Sequence, residues 1–353
     1  MFNIVELNKE SFKKYDKEKY LLEIKPYLPN SILDAHVHIG ITDININNIT
    51  EERKKERFEL TISTSLTFED YFKAFKLLYG GRNFKGLFFA IPLKEINLEK
   101  DNEYIGKRID NCRIFGLITA SPNHSKDYFE SLIEKYKFIG FKPYPDLANI
   151  KDESMIDLDN YVSTNMLEIA NKYKLIILIH LKSKSGQEGI CCDDYIKKIY
   201  EYFEKYPDIK IIIPHMGRAH CPKLAETGIK KVTKIFGTDK IYFDTSTCTQ
   251  KESFQVFFEN YSIDKIIFGN DFPYSLIRGR FYCINDRKRI FVPRENYSWY
   301  KGGEEFDRRL SLEAYESLSE LFKAFKKIGA DKSIFNKIMY KNADDLIKEV
   351  LKK

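Results

Sequence analysis

The chain holds six histidines, and four of them stand where short apolar runs end. His36 and His38 form a His-x-His pair in SILDAHVHI, His180 lies in LIILIHL, and His215 follows directly in IIIPHMG. Asp271 comes after the last such run, in IIFGNDFP. Imidazole nitrogens joined by one carboxylate form a donor set suited to Zn²⁺, Mn²⁺ or Fe²⁺. Singly, each residue has an ordinary explanation: a hydrogen-bonded core histidine for His180, a structural role after proline for His215, a turn carboxylate for Asp271. Taken together and in this order, they point to one divalent-metal site assembled from several strand ends.

Such a site needs elements that bring distant segments to one rim. Eight β-branched or apolar runs occur: 31–39, 86–91, 113–119, 138–142, 175–181, 209–214, 240–244 and 265–269. Segments of helical periodicity separate most of them, among them DYFESLIEKY and the stretches 161–173 and 194–206. Strands alternating with helices give βαβ units and a parallel sheet. Eight units predict an α/β (β/α)8 TIM barrel, read as a single domain over 1–353 with a core at about 31–350. Strand residues two apart share a face, so His36 and His38 point the same way. Two connections are long: about 41–84, where TFEDYFKAFKLLY predicts a helix, and about 272–310. Both leave strand ends on the face where barrels carry their active sites, so both are expected to be lids or binding elements. The chain from Ser311 onward reads as helical. No glycine-rich nucleotide loop follows any strand.

DAHVHIG, the strand-five histidine, PHMG, GNDFP and the late segment MYKNADDLI resemble the amidohydrolase-related family, a branch of the metal-dependent amidohydrolase superfamily with a (β/α)8 fold. The resemblance runs in order from about 31 to 350. It implies that His36, His38, His180 and Asp271 bind a divalent metal, Zn²⁺ first and otherwise Mn²⁺ or Fe²⁺, with one ion favoured over two. It also implies that His215 polarises the substrate, helps to activate water or binds a second metal, and that Asp271 doubles as general base toward metal-bound water. The branch contains hydrolases of esters, lactones and amides as well as nonoxidative decarboxylases. The expected activity is therefore metal-dependent hydrolysis of a small anionic substrate, with decarboxylation of an aromatic or unsaturated acid as the alternative. A TatD-like deoxyribonuclease fits less well, because that group carries Glu on strand four where this chain has Lys142. Lys142 has three readings: an exposed lysine at a strand end, a carboxylated bridge between two metals, or an ammonium that binds a substrate carboxylate.

Lys182, two residues past His180, Arg218 after PHMG, and Arg278 and Arg280 after Asp271 are candidate anion clamps, since arginine grips carboxylate and phosphate in bidentate fashion. At least one of Lys182, Arg218 and Arg278 is expected to line the pocket. His124 and His220 are read as non-catalytic, with His220 near enough to His215 to support it. Phe281, Tyr282, Tyr297 and Trp299 could cover the pocket or form a subunit contact, which leaves a homodimer open.

Composition narrows the partners. Lys and Arg number 58 against 52 Asp and Glu, and the resulting +6 is dispersed in runs such as EERKKERFE that look like solvated helix surface. That argues for a small-molecule substrate and against nucleic acid. No apolar run reaches membrane-spanning length and the first residues are charged, so a cytoplasmic, membrane-free protein is expected. The six cysteines show no metal-binding spacing and are read as free thiols, with adjacent Cys191 and Cys192 the only candidate redox pair.

Overall fold

The computed structural model describes residues 14–57, 60, 65–148, 150, 156–184, 186–294, 307 and 309–352. Its central strands are β1 (Ser31–His38), β2 (Asn83–Phe89), β3 (Ile114–Gly116), β4 (Ile118–Ala120), β5 (Gly140–Pro143) and β6 (Ile176–Leu178). A small hairpin, β7 (Ser183–Lys184) and β8 (Gln187–Glu188), precedes β9 (Lys210–Ile213), β10 (Tyr242–Asp244) and β11 (Ile266–Ile267). A second hairpin, β12 (Gly279–Ile284) with β13 (Lys288–Pro293), lies in the connection after β11.

Pairing is parallel throughout the barrel, in the order β1-β2-β3 and β4-β5-β6-β9-β10-β11. The run expected as one strand at 113–119 is split at Leu117. Its first half pairs with β2 and its second with β5, while the Leu117 amide donates to Phe88 O at 2.9 Å. The ring is completed by backbone bonds from Ala35 N to Phe268 O (2.9 Å) and from His38 N to Phe272 O (3.0 Å). The eight expected runs thus form the staves of a (β/α)8 barrel. Strands covered on both faces must be apolar along their whole length, and β1 is buried at every residue but the first.

The helix Phe68–Tyr79 bears out the element expected in the first long connection. Thr67 and Asp70 form a reciprocal capping box at its start. Phe68, Tyr71, Phe75 and Leu78, three and four residues apart, turn its buried face to the barrel. Each such side chain contributes roughly 1.5–3 kcal/mol when removed from water. After Ser311 the chain is helical at Glu313–Lys327, Lys332–Asn336 and Asn342–Leu351. Asn342, inside the late motif MYKNADDLI, donates its amide to Ile263 O and Ile266 O, both at 2.7 Å. It therefore pins the start of β11, whose other end leads to Asp271. Among the described residues no helix is long and apolar enough to cross a membrane.

Two expectations are corrected. Cys221 and Cys283 are joined in a disulfide across 62 residues, so the reading of all six cysteines as free thiols fails for this pair. The bond exists because β12 packs over the start of the helix Pro222–Phe236, a proximity that sequence spacing does not encode. For Cys191 and Cys192 the reading as free thiols stands: both are free and buried. The charged run EERKKERFE is not simply solvated surface: Arg53 is buried, bonding Glu95 and Asp146, and Arg57 also donates to Asp146 at 2.9 Å. Tyr297 and Trp299 lie outside the described residues.

Candidate metal centre

β1 carries His36 and His38 to the mouth of the barrel on one face. His36 is almost fully buried, and its Nδ1 lies 2.8 Å from Asp244 Oδ2 at the end of β10. The Asp244 carboxyl is buried, which alone would raise its pKa, but His36, His215 and Ser246 bring it down to about 2. An ionised carboxylate only accepts, so Nδ1 of His36 carries the proton. The Nδ1 of His38 faces the Ala90 carbonyl at 3.3 Å and carries a proton for the same reason. Both rings therefore present Nε2 lone pairs, and these face each other at 3.2 Å.

Asp271 Oδ1 completes the cluster at 3.2 Å from His36 Nε2 and 3.3 Å from His38 Nε2. Burial raises the Asp271 carboxyl, but His36, His38 and His215 outweigh it and hold the group well below the usual carboxylate range. Three electron-pair donors thus converge within 4.8 Å of one another. Such crowding is repulsive unless a cation occupies the gap, so the donor set fits a divalent metal.

Lys142, at the end region of β5, sends Nζ to His36 Nε2 at 3.2 Å and over the Phe89 ring at 4.6 Å. It is fully buried, which overturns its reading as an exposed strand-end lysine. Burial pushes its ammonium down to about 7, against the pull of Asp271 and Asp244.

His215 follows β9 on a backbone that turns left-handed at four successive residues, with φ of 59° at His215, 49° at Met216, 67° at Gly217 and 59° at Arg218. Non-glycine residues in this region cost of order 1 kcal/mol or more each. The His215 amide, donated to Asp244 Oδ1 at 2.9 Å, helps to hold the turn. Ser246 spends its single hydroxyl proton on Asp244 Oδ1 and so accepts from His215 Nδ1 at 2.8 Å. That leaves His215 Nε2 as an acceptor. Burial pushes its pKa down to about 3, so the ring is held neutral, with its Nε2 lone pair free. With His36 and Asp244 it forms a second convergent set of potential ligands.

His180 stands on the same rim, its ring 5.0 Å from that of His215. It belongs to neither convergent set, because its Nε2 faces Arg218 Nη1 at 3.3 Å. The rim opens into a cavity of about 290 Å³. Lys182 and Arg218 line it, as expected; Arg57 and Arg289 add two further cations, against Glu56 and Asp271.

Arg278 does not line it. This is a correction: Arg278 is buried, with Nη2 donating to Asp16 Oδ2 at 3.0 Å, because a segment 262 residues earlier supplies its partner. Arg280 reaches Glu320 and the Thr249 carbonyl instead. His124 bonds Glu99 away from the cavity, whereas His220 lines it.

Sequence reasoning missed Asp244, although it ends KIYFD and the rule that found Asp271 would have found it. It also missed Arg57 and Arg289, whose neighbours give no local signal.

The amidohydrolase family profile matches residues 34–347, and the chain belongs to that family. No curated protein matches it. Solved structures with the same fold include a Pseudomonas putida protein assigned as a 2-pyrone-4,6-dicarboxylic acid hydrolase, at 12% identity and a TM-score of 0.54 over 91% of this chain and 98% of that one. The 5-carboxyvanillate decarboxylase of Sphingomonas paucimobilis aligns at 10% identity and a TM-score of 0.54, over 91% and 99%. A dihydroxybenzoic acid decarboxylase from Polaromonas sp., solved with bound manganese and the inhibitor 2-nitroresorcinol, aligns at 12% and 0.51, over 91% and 97%.

Proposed function

We propose that this chain is a metal-dependent hydrolase acting on an ester, lactone, amide or related bond of a small anionic molecule. The observation that carries this reading is the convergence of two imidazole lone pairs and one ionised carboxylate oxygen, each 3.2–3.3 Å from the others, at the open end of the barrel. His36, His38 and Asp271 would hold the ion, with His180 the fourth ligand that the family pattern implies. Lys142 and His215 stand beside a second position. Zn²⁺ is the favoured metal and a single ion the favoured number. When bound, such a cation supplies Lewis acidity and lowers the pKa of water toward neutrality.

The chain's own groups do the rest. Asp271, ionised throughout the working range, accepts the proton of the attacking water. His215, with Nδ1 fixed on Ser246, offers Nε2 as a further acceptor. Lys182, Arg218 and Arg57 set a positive field in the cavity that draws an anionic substrate and holds it against water.

The test is elemental analysis of chelator-free protein, followed by turnover assays on small carboxylated esters and lactones and on aromatic carboxylic acids. One equivalent of metal with hydrolysis supports the proposal. Release of CO₂ from the aromatic acids without hydrolysis replaces it with decarboxylation at the same centre. Absence of metal even after reconstitution overturns both.

A further inference from the structure

The connection after β11 forms the hairpin β12–β13, and one face of it is part of the cavity wall. Residues directly opposite on an antiparallel pair share a face, as do residues two apart on one strand. Phe281 stands opposite Phe291 and Cys283 opposite Arg289, so these four turn the same way. Phe281 and Arg289 line the cavity, and Cys283, on the same face, is bonded to Cys221. The reaction proposed above uses neither cysteine.

The disulfide joins a firm support to a weakly held tip. On the barrel side, Cys221 is fully buried and directly precedes the 15-residue helix Pro222–Phe236. Its carbonyl accepts from Ala225 N at 2.8 Å, and the carbonyl of His220 accepts from Ser253 Oγ at 2.6 Å. The root of the hairpin is also well tied. Thr249 Oγ1 and Gln250 Nε2 donate to Phe281 O at 2.7 and 2.6 Å, and Arg280 reaches Glu320 and the Thr249 carbonyl.

The tip differs. Ile284, Asn285, Asp286, Arg287 and Lys288 are all exposed, so apolar burial does not hold it. Beyond the disulfide, it meets the barrel through the Lys223 amide, which donates to Asp286 O at 3.2 Å, and through Arg289 Nη1, which donates to His220 Nε2 at 2.7 Å. Water can replace either bond, so each contributes little net stability. A covalent link across 62 residues is the stronger constraint.

We infer that the Cys221–Cys283 bond is a redox latch on the cavity wall. Oxidised, it holds the tip of β12–β13, with Arg289, against the His220 segment. Reduced, it releases the tip and opens the cavity on that side, whatever reaction the strand ends support.

The step is a thiol–disulfide exchange with a dithiol as reductant. Cys283 is half-buried and Cys221 fully buried, so the incoming thiolate attacks Cys283 Sγ. The S–S bond breaks toward Cys221, whose sulfur leaves as a thiolate at the N-terminus of the helix, where unpaired backbone amides favour negative charge. That thiolate then takes a proton. The second thiolate of the reductant attacks the reductant sulfur of the mixed disulfide and expels Cys283, which is protonated in turn. Two electrons and two protons have passed from the dithiol, which ends as a cyclic disulfide. Cys112, Cys191, Cys192 and Cys248 are free, so this is the one bond a dithiol has to break.

The probes are dithiothreitol and, in reverse, oxidised glutathione, each applied to the full-length wild type and removed by anaerobic desalting before trypsin is added. After oxidised glutathione, a non-reducing digest should hold Cys221 and Cys283 in one linked peptide. Trypsin should then cut slowly after Arg287 and Lys288, because cleavage there requires the hairpin to open and its rate follows the open population. After dithiothreitol, cleavage at these two bonds should be about tenfold faster or more, with the far-ultraviolet circular dichroism unchanged. Oxidised glutathione should restore the slow rate. Cys283→Ser should be cut at the fast rate under both treatments; if it does not fold, the wild type under the two reagents carries the test. Failure to form the linked peptide overturns the latch, and so does a cleavage rate that reduction leaves within about twofold. Loss of the circular dichroism signal on reduction also overturns it, since the bond would then hold the whole fold rather than the hairpin. None of these readouts involves metal or turnover, so failure of the latch and failure of the proposed reaction are told apart.

Discussion

Replacing Asp244 with asparagine exchanges one carboxylate oxygen for an amide, and the surroundings dictate which one. Oδ1 receives the His215 amide at 2.9 Å, the Ser246 amide at 3.1 Å and the Ser246 hydroxyl. An NH₂ group there would face three donors, so the asparagine oxygen must take that place. The NH₂ then faces His36 Nδ1, where Oδ2 now stands at 2.8 Å. A donor facing Nδ1 drives the ring proton to Nε2, the nitrogen that points at His38 and Asp271. A protonated Nε2 cannot bind a metal. Losing a partner that orients a metal-binding histidine costs about 10–100-fold in metal affinity, equivalent to about 1.4–2.7 kcal/mol. Competition with a chromophoric chelator measures that loss directly, and the ¹⁵N–¹H correlation spectrum of the imidazoles reports the tautomer of His36. Asp264→Asn is a matched control, since Asp264 pairs with Lys337 on the exposed surface. A folded Asp244→Asn protein with metal affinity within about threefold of the wild type, or with His36 still protonated at Nδ1, would refute the tautomer argument.

Two further outcomes follow from other buried charges. Burial, with smaller effects from Asp271 and Glu316, raises the Glu313 carboxyl from 4.5 to about 8, and its Oε1 has no hydrogen-bond partner. The unfolded chain therefore ionises first, and this group's contribution to stability is full below about pH 4.5 and lost as pH rises toward 8. Glu313→Gln has no such loss, so urea unfolding should show its stability relative to wild type rising by about 3 kcal/mol between pH 5 and 8; a pH-independent difference would contradict the assignment. Arg278→Met removes both guanidinium contacts to Asp16 Oδ2 and leaves Arg294 and Ser311 among the partners of that buried carboxylate. It should destabilise the fold by about 3–5 kcal/mol, read from the denaturant midpoint, while benzoate affinity stays unchanged; a large affinity loss at intact stability would return Arg278 to the pocket.

The features that could be read from sequence are those governed by local rules. A buried strand must be apolar along its length, so eight runs announce eight staves, and residues two apart on a strand share a face, so the sequence pairs His36 with His38. Side chains at strand ends converge only if the strands close a ring, and the order of His36, His180, His215 and Asp271 along the chain was enough to suggest that closure. What stayed hidden was the identity of charge partners. Arg278 and Arg218 looked alike as basic residues just past strand ends. One turns to Asp16 near the N-terminal end of the described chain, and the other to His180 and Glu188 on the cavity rim. Nothing within several residues of either distinguishes them, because a long charged side chain follows its counter-ion, and the counter-ion is placed by the fold.

The candidate metal centre and the outer wall of the pocket rest on different parts of the fold. His36, His38 and Asp271 depend on barrel geometry, which the alternation of strands and helices specifies across most of the chain. Arg289 depends on an insertion, on a disulfide spanning 62 residues and on bonds from Thr249 and Gln250. The hairpin β12–β13 lends Phe281 and Arg289 to the cavity wall, while the strand ends supply His36, His38, His180, His215 and Asp271. For this chain the place to look for substrate choice is the hairpin β12–β13, and the place to look for reaction type is the ring of strand ends beneath it.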